Sequence, residues 1–207
     1  MANWNKMAPY EIIAAPFTMW LAPVGTAFPL LGDLPAAFDP AWFMVGTSGD
    51  LNYKNDGVTV RHSQNVIRWR ALGDTGARKA FRVEEALMVS LVLADVSLEQ
   101  YALALNHNTV TTVPAGPGTV GYRKVGLSRG PAVESRALLV RGPSPYDTDM
   151  AMQYEVPIAI HYGEPEVVYR KDEPAGLALD FEAMVDVSAA TEDERFGRLV
   201  AQDDTAS

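Results

Sequence analysis

Two carboxylates set two residues apart, Asp180 and Glu182, form the pair in this sequence best spaced for acid and base chemistry. On a strand they project from one face with about 7 Å between their Cα atoms, a separation suited to paired catalytic carboxylates. Alternating acids on a solvated strand face are commoner and need no substrate. The surrounding residues suit that blander reading. Leu177, Leu179, Phe181, Ala183, Val185 and Val187 face one way, and Asp180, Glu182 and Asp186 the other. The chain's 3 histidines, His62, His107 and His161, are scattered without HExxH or HxH spacing, so no metal site is expected. His62 and Ser63 are adjacent, but strand neighbours point to opposite faces, and no GxSxG elbow accompanies them. The glycine-rich run at 116–121 lacks the Lys-Ser/Thr that a phosphate loop requires and reads as a turn. With 0 cysteines, disulfides, thiolate sites and cysteine nucleophiles are excluded.

Charge gives a sharper signal. The formal net charge is -9 over 207 residues, which opposes tight non-specific binding of nucleic acid. Against that balance, Arg61, Arg68, Arg70, Arg78, Lys79 and Arg82 crowd one stretch. They form either a docking finger or a solvated hairpin face. Separate acidic and basic regions on one subunit favour docking on an acidic surface, such as another copy in a head-to-tail array.

The elements that must position these residues are mostly strands. Residues 84–106 are the anchor. Leu87, Val89, Leu91 and Leu93 alternate with Met88, Ser90, Val92 and Ala94 as a strand with two apolar faces, and Leu98, Tyr101, Ala102 and Leu105 then repeat as a helix stripe over 96–106, capped by Asp95 or Ser97. Further strands are expected at 17–24, 42–47, 58–70, 107–113, 120–127, 137–141, 150–162, 167–170 and 175–187. Pro157 implies an edge or a bulge in one of them. Residues 66–82 read as a long hairpin with a glycine-rich tip and a bulge near Val66, and 25–41 as a proline-spaced loop. At the C-terminus, Thr191 and Glu194 have capping-box spacing ahead of Phe196, Leu199 and Val200, which suggests a short helix. The N-terminal apolar runs are broken by Pro9 and Pro16, fitting neither a signal peptide nor a membrane span. The expected fold class is mainly β: a β-sandwich or barrel of two packed antiparallel sheets with one flanking α-helix, long loops and terminal arms. It comprises an arm at 1–16, one domain at 17–187 and an arm at 188–207.

Three stretches, LAPVGTAFP at 21–29, VGTSGDLNY with DGVTVRHSQ at 45–64, and RKAFRVEEALMVSLVLADVSLEQYALALN at 78–106, resemble the tail tube, or major tail, proteins of long-tailed bacteriophages. The resemblance covers about the first half of the chain, and its motifs are structural, not catalytic. It implies a non-enzymatic virion protein, without cofactor or metal, that assembles in the infected bacterium's cytoplasm into stacked hexameric rings around a DNA-conducting lumen. Implied partners are further copies, other tail proteins such as tape measure and terminators, and DNA in transit; no membrane insertion is implied. On this reading the 66–82 hairpin, the 25–41 loop and both termini make contacts. Arg68, Arg70, Asp74, Arg78, Lys79, Arg82, Met88 and Val92 are the inter-subunit candidates, and Asp180, Glu182 and Asp186 the lumen candidates. An acidic lumen suits passage of DNA, because phosphates that stick do not slide. Two alternatives stay open: another virion protein, decorating a capsid or joining head to tail, and a glycan-binding module or hydrolase using Asp180 and Glu182.

Overall fold

The computed structural model describes residues 12–147 and 149–204. Ten strands account for most of the regular structure: β1 (Thr18–Pro23), β2 (Phe43–Met44), β3 (Thr59–Trp69), β4 (Lys79–Leu93), β5 (Thr111–Val113), β6 (Tyr122–Lys124), β7 (Ser135–Pro143), β8 (Ala151–His161), β9 (Leu177–Ala183) and β10 (Arg198–Ala201), with helix α1 (Leu98–Ala104) between β4 and β5. The main sheet is antiparallel, with order β2-β1-β7-β8-β9-β4-β3, and β10 adds to β8; β5 and β6 pair as a separate ribbon. The expected mainly β class with one helix is present. The strands lie in one large antiparallel sheet and a small two-stranded one.

Alternation dictates which face is core. Leu87, Val89, Leu91 and Leu93 of β4 are buried with Leu177, Leu179, Phe181 and Ala183 of β9, Leu138 and Val140 of β7, and Met19 and Leu21 of β1. Leu103 and Ala104 of α1 complete this cluster. Each such aliphatic side chain contributes about 1.5–3 kcal/mol on burial. The helix begins where Ser97 Oγ accepts from the Gln100 amide at 3.5 Å, so Ser97 is the cap. Asp95 has a different task. Its carboxylate accepts from the Ser97 and Thr47 amides, each at 3.0 Å, and fastens the helix entry to the turn after β2. Burial acts to raise the Asp95 carboxyl, but the hydrogen bonds from Thr47 and Ser97 outweigh it and hold it below the ordinary carboxylate range.

The sheet is curled, and one tyrosine shows how far. Strands β1 and β4 are four places apart in the sheet, about 19 Å if it were flat. Yet Tyr53 forms a backbone bridge with Leu93 of β4, while its hydroxyl accepts from the Met19 amide of β1 at 3.0 Å and donates to the Val45 carbonyl at 2.8 Å. Burial first, with the Asp50 charge, pushes this phenol up to about 12, against the opposing effect of the Met19 amide. The curl therefore closes on Tyr53.

The face opposite the core has two halves. Over β1 and β7, Trp20, Ala22, Ala137 and Leu139 are covered by Phe28, Phe38 and Trp42, so the 25–41 loop folds back onto its own sheet. Arg141 holds it there by donating to the Leu30 and Leu31 carbonyls and lying 5.4 Å from the Phe38 ring centroid. Over β9 and β4 the same face is more open: Met88, Ser90, Val92, Asp180 and Glu182 are partly buried, with the Tyr162 hydroxyl 3.5 Å from Met88 Sδ and Lys54 and the 166–176 segment beside Val92 and Ala178.

Several local expectations change. Pro157 marks a bulge, not an edge: Arg136 pairs with Ala159 but Leu138 with Val156, leaving an extra residue on β8. There β8 splits its far edge between partners, pairing with β9 at 159–161 and with β10 at 152–155. The C-terminal segment is thus a strand, preceded by a single 3₁₀ turn at Glu192–Glu194, and not a helix. An open edge beside the bulge offers it four ladder positions, more than one marginal helical turn supplies. Residues 198–201 are consequently part of the sheet, whereas the arm at 1–16 lies mostly outside the described residues. Residues 167–170 make only the Val167–Leu177 bridge, and the 175–187 strand stops at Ala183.

Tyr53→Phe leaves the Met19 amide and the Val45 carbonyl without their partner. It is expected to cost about 1–3 kcal/mol, or roughly 2–4 °C in Tm per kcal/mol, read by thermal or urea unfolding; unchanged stability would show that the curl does not depend on this residue.

Candidate functional site

The β3–β4 hairpin leaves the body because its sequence stops supplying a core face. From Glu85 back to Lys79 every residue of β4 is exposed, while Leu87, Val89, Leu91 and Leu93 of the same strand are buried. The expected bulge is present: Asn65 pairs with Glu84 but Val66 with Arg82, which places the extra residue, Val83, on β4. Beyond it, Ile67 pairs with Phe81 and Trp69 with Lys79. Ile67, Trp69 and Phe81 are 56%, 53% and 47% exposed, and Leu72 in the turn is fully exposed. A two-stranded ribbon with this much uncovered apolar surface is marginal in water and suits a surface that meets a partner.

The basic candidates cluster as expected, with unequal freedom. Arg78 pairs with Asp74 across the turn. Arg82 donates to Gln64 Oε1 at 3.0 Å and pairs with Glu85 at 3.3 Å. Lys79 lies 5.0 Å from the Phe81 ring centroid. Among the described residues Arg68 and Arg70 have no ion-pair partner, and both are exposed.

Two of the contact candidates and two of the lumen candidates are neighbours. Met88 pairs with Glu182, Ser90 with Asp180 and Val92 with Ala178, so Met88, Val92, Asp180 and Glu182 share one sheet face. Arg61 pairs with Met88 from β3, and Ile160 with Glu182 from β8, which makes the row Arg61, Met88, Glu182, Ile160. This face is of mixed character, with Asp180 and Glu182 flanked by Arg61 at one side and Lys54 beside Val92. Asp186 does not belong to it. It lies past the end of β9, where its carboxylate accepts from the Ser188 amide at 2.8 Å and hydroxyl at 2.6 Å. Those two bonds hold its carboxyl below the usual range.

The histidines occupy three separate environments, and no group of three metal-ligating side chains converges among the described residues. His62 is exposed on β3. The His107 ring lies 5.3 Å from that of Phe43. Burial, followed by the Arg136 charge, lowers this imidazole, with Glu134 opposing. His161 accepts at Nδ1 from Arg129 at 2.9 Å and stands edge-on to Phe181 at 5.4 Å. The loop bearing Arg129 is held by Asn106, whose Nδ2 donates to the Arg129 and Ala132 carbonyls at 3.0 and 2.8 Å, and by Asn108, which donates to Gly126 and Ser128. Asn106 and His107 both take positive φ, 61° and 57°, to make that turn.

Sequence reasoning missed one polar cluster. Glu155 is 4% exposed and accepts from Arg198 Nε at 2.6 Å and from Gln153 Nε2 at 2.6 Å; Gln153 also donates to the Pro29 carbonyl at 2.8 Å. It ties β10 and the folded-back loop to β8. Polar residues alternating with Tyr154 and Val156 were the available signal.

No protein-family model matches the chain, and no curated protein matches it. Among solved structures, it is similar to one described as the cryo-EM structure of the anti-feeding prophage (AFP) baseplate, 6-fold symmetrised. The identity is 7% and the TM-score 0.49, and the match covers 84% of this chain and 91% of that chain.

The His161 environment makes a pH prediction. Burial, then the Arg129 charge, pushes its imidazole down from 6.5 to about 4. The unfolded chain therefore binds the extra proton first, and stability falls as the pH drops from 6.5 towards 4. His161→Gln, which keeps an acceptor for Arg129 but does not ionise, should flatten that fall by about 1 kcal/mol after discounting for partial exposure, read as Tm against pH. Parallel profiles for the two proteins would contradict it.

Proposed function

We propose that this chain is a self-assembling structural subunit of a phage-type tail, and specifically a tube subunit that forms stacked, six-membered rings around a DNA passage. The observation that carries this reading is the projecting hairpin. Its base is fixed in the core through Leu87, Val89, Leu91 and Leu93, and its end displays Ile67, Trp69 and Phe81 to solvent. Folding of one chain leaves that apolar surface uncovered, and association covers it. The half-covered face with Met88, Val92, Asp180 and Glu182 adds a second surface of mixed character, consistent with a subunit contact bordering an acidic passage. Of the three sequence stretches that resemble tail tube proteins, 45–64 supplies the first half of β3 and 78–106 all of β4 and α1, while 21–29 supplies the end of β1 and the start of the loop after it. On this reading the chain works without catalysis or a cofactor, in a virion tail, beside other tail proteins.

The alternative with Asp180 and Glu182 as acid and base is less well supported. Both lie on a partly exposed sheet face, with Ser90 and Met88 as cross-strand neighbours, and the depression that Glu182 lines with Met88 and the hairpin base does not include Asp180.

Ile67→Ser with Phe81→Ser is expected to keep the unfolding midpoint within about 1 kcal/mol of the parent, since both side chains are exposed, while reducing assembly at least tenfold in sedimentation velocity. Met88→Asp should act in the same direction, whereas Leu91→Asp should abolish folding. Assembly unaffected by the Ile67 and Phe81 changes would remove the hairpin from the interface.

A further inference from the structure

At the hairpin's base, a groove runs between β4 and the segment leading into β10. Val83, Val185 and Phe196 provide apolar surface, and Glu84, Glu85, Glu192 and Asp193 line it together with Arg82 and Arg195. Arg82 is already paired with Glu85, which leaves an excess of negative charge. The hairpin end has the reverse composition. It shows Ile67, Trp69, Leu72 and Phe81 with Arg68, Arg70, Arg78 and Lys79 against the single Asp74.

We propose that this groove receives the hairpin end of a second copy of the chain. Apolar residues would meet Val83, Val185 and Phe196, while Arg68 and Arg70 face Glu192 and Asp193. The inference rests on the self-assembly reading and adds to it the pair of surfaces that meet. Two observations support it. The charges are complementary, and the surfaces differ from each other, as a head-to-tail contact requires. Insertion within one chain is opposed by the pairing: β3 and β4 stay paired on both sides of the Val83 bulge out to Lys79, so the tip cannot fold back onto Arg82 and Val83 of its own strand. The tip of another copy meets no such constraint.

The chain's lack of cysteine allows a direct test on the full-length protein. Arg70→Cys and Asp193→Cys variants are mixed and treated with a short bismaleimide. A dimer at least tenfold more abundant in the mixture than with either variant alone is expected, and a ladder of higher oligomers when both changes are in one chain. Adding Arg68→Glu to the tip-cysteine variant should remove most of the mixed dimer, and adding Glu192→Arg to its partner should restore it. Equal cross-linking by Arg70→Cys alone would mean a symmetric tip-to-tip contact and would overturn the proposal. Absence of mixed dimer while electron microscopy still shows rings or tubes would overturn the groove assignment and leave the assembly reading standing. A chain that neither cross-links nor sediments above the monomer would overturn both.

Discussion

Strand β4 must satisfy two environments along one backbone, and the rest of the molecule is arranged around that constraint. Its C-terminal half cannot move without dislodging Leu87, Val89, Leu91 and Leu93 from the core, where β9 and β3 flank it. Its N-terminal half continues the same backbone, so the exposed end of the hairpin is aimed by the buried base. The Val83 bulge adds a local change of twist between the two halves. An exposed ribbon of this length would be marginal alone; continuity with a buried strand sets its register and direction.

The same economy governs the other face. The aromatic residues of the 25–41 loop cover the half over β1 and β7, and Arg141, Gln153 and Glu155 hold that cover in place from beneath. The half over β4 and β9 is only partly covered, by Tyr162 on Met88 and by Lys54 and the 166–176 segment beside Val92 and Ala178. The more open half-face and the apolar projection are the surfaces that the proposed assembly would bury.

The sequence was most legible where physical period and tertiary environment agree. The 87–93 alternation gave the strand, though not which of its two apolar faces is core, and the change of period at Asp95 gave the helix, because each signal arises from the packing it predicts. Asn65 and Val66 located the bulge, and Pro157 gave a second one because a missing donor must be accommodated somewhere. Failures came where a distant element decides. Residues 198–201 are too short to choose their own structure, and the split edge of β8 chooses for them. Asp186 continued the acidic alternation in sequence, but the turn with Ser188 ends the strand's geometry before it. Tyr53 gave no signal at all, since its partners Met19 and Leu93 lie far from it in the chain. The basic cluster was visible as composition, but Arg68 and Arg70 were not separable from the ion-paired Arg78 and Arg82 until Asp74, Gln64 and Glu85 were placed.

That this chain assembles with itself is the central claim, and negative-stain electron microscopy of the purified, unmodified protein across a concentration series tests it most directly. The account predicts rings with a central opening, stacking into tubes as concentration rises. A field of separate monomers at the highest concentration reached, with and without other tail components to nucleate assembly, would contradict it.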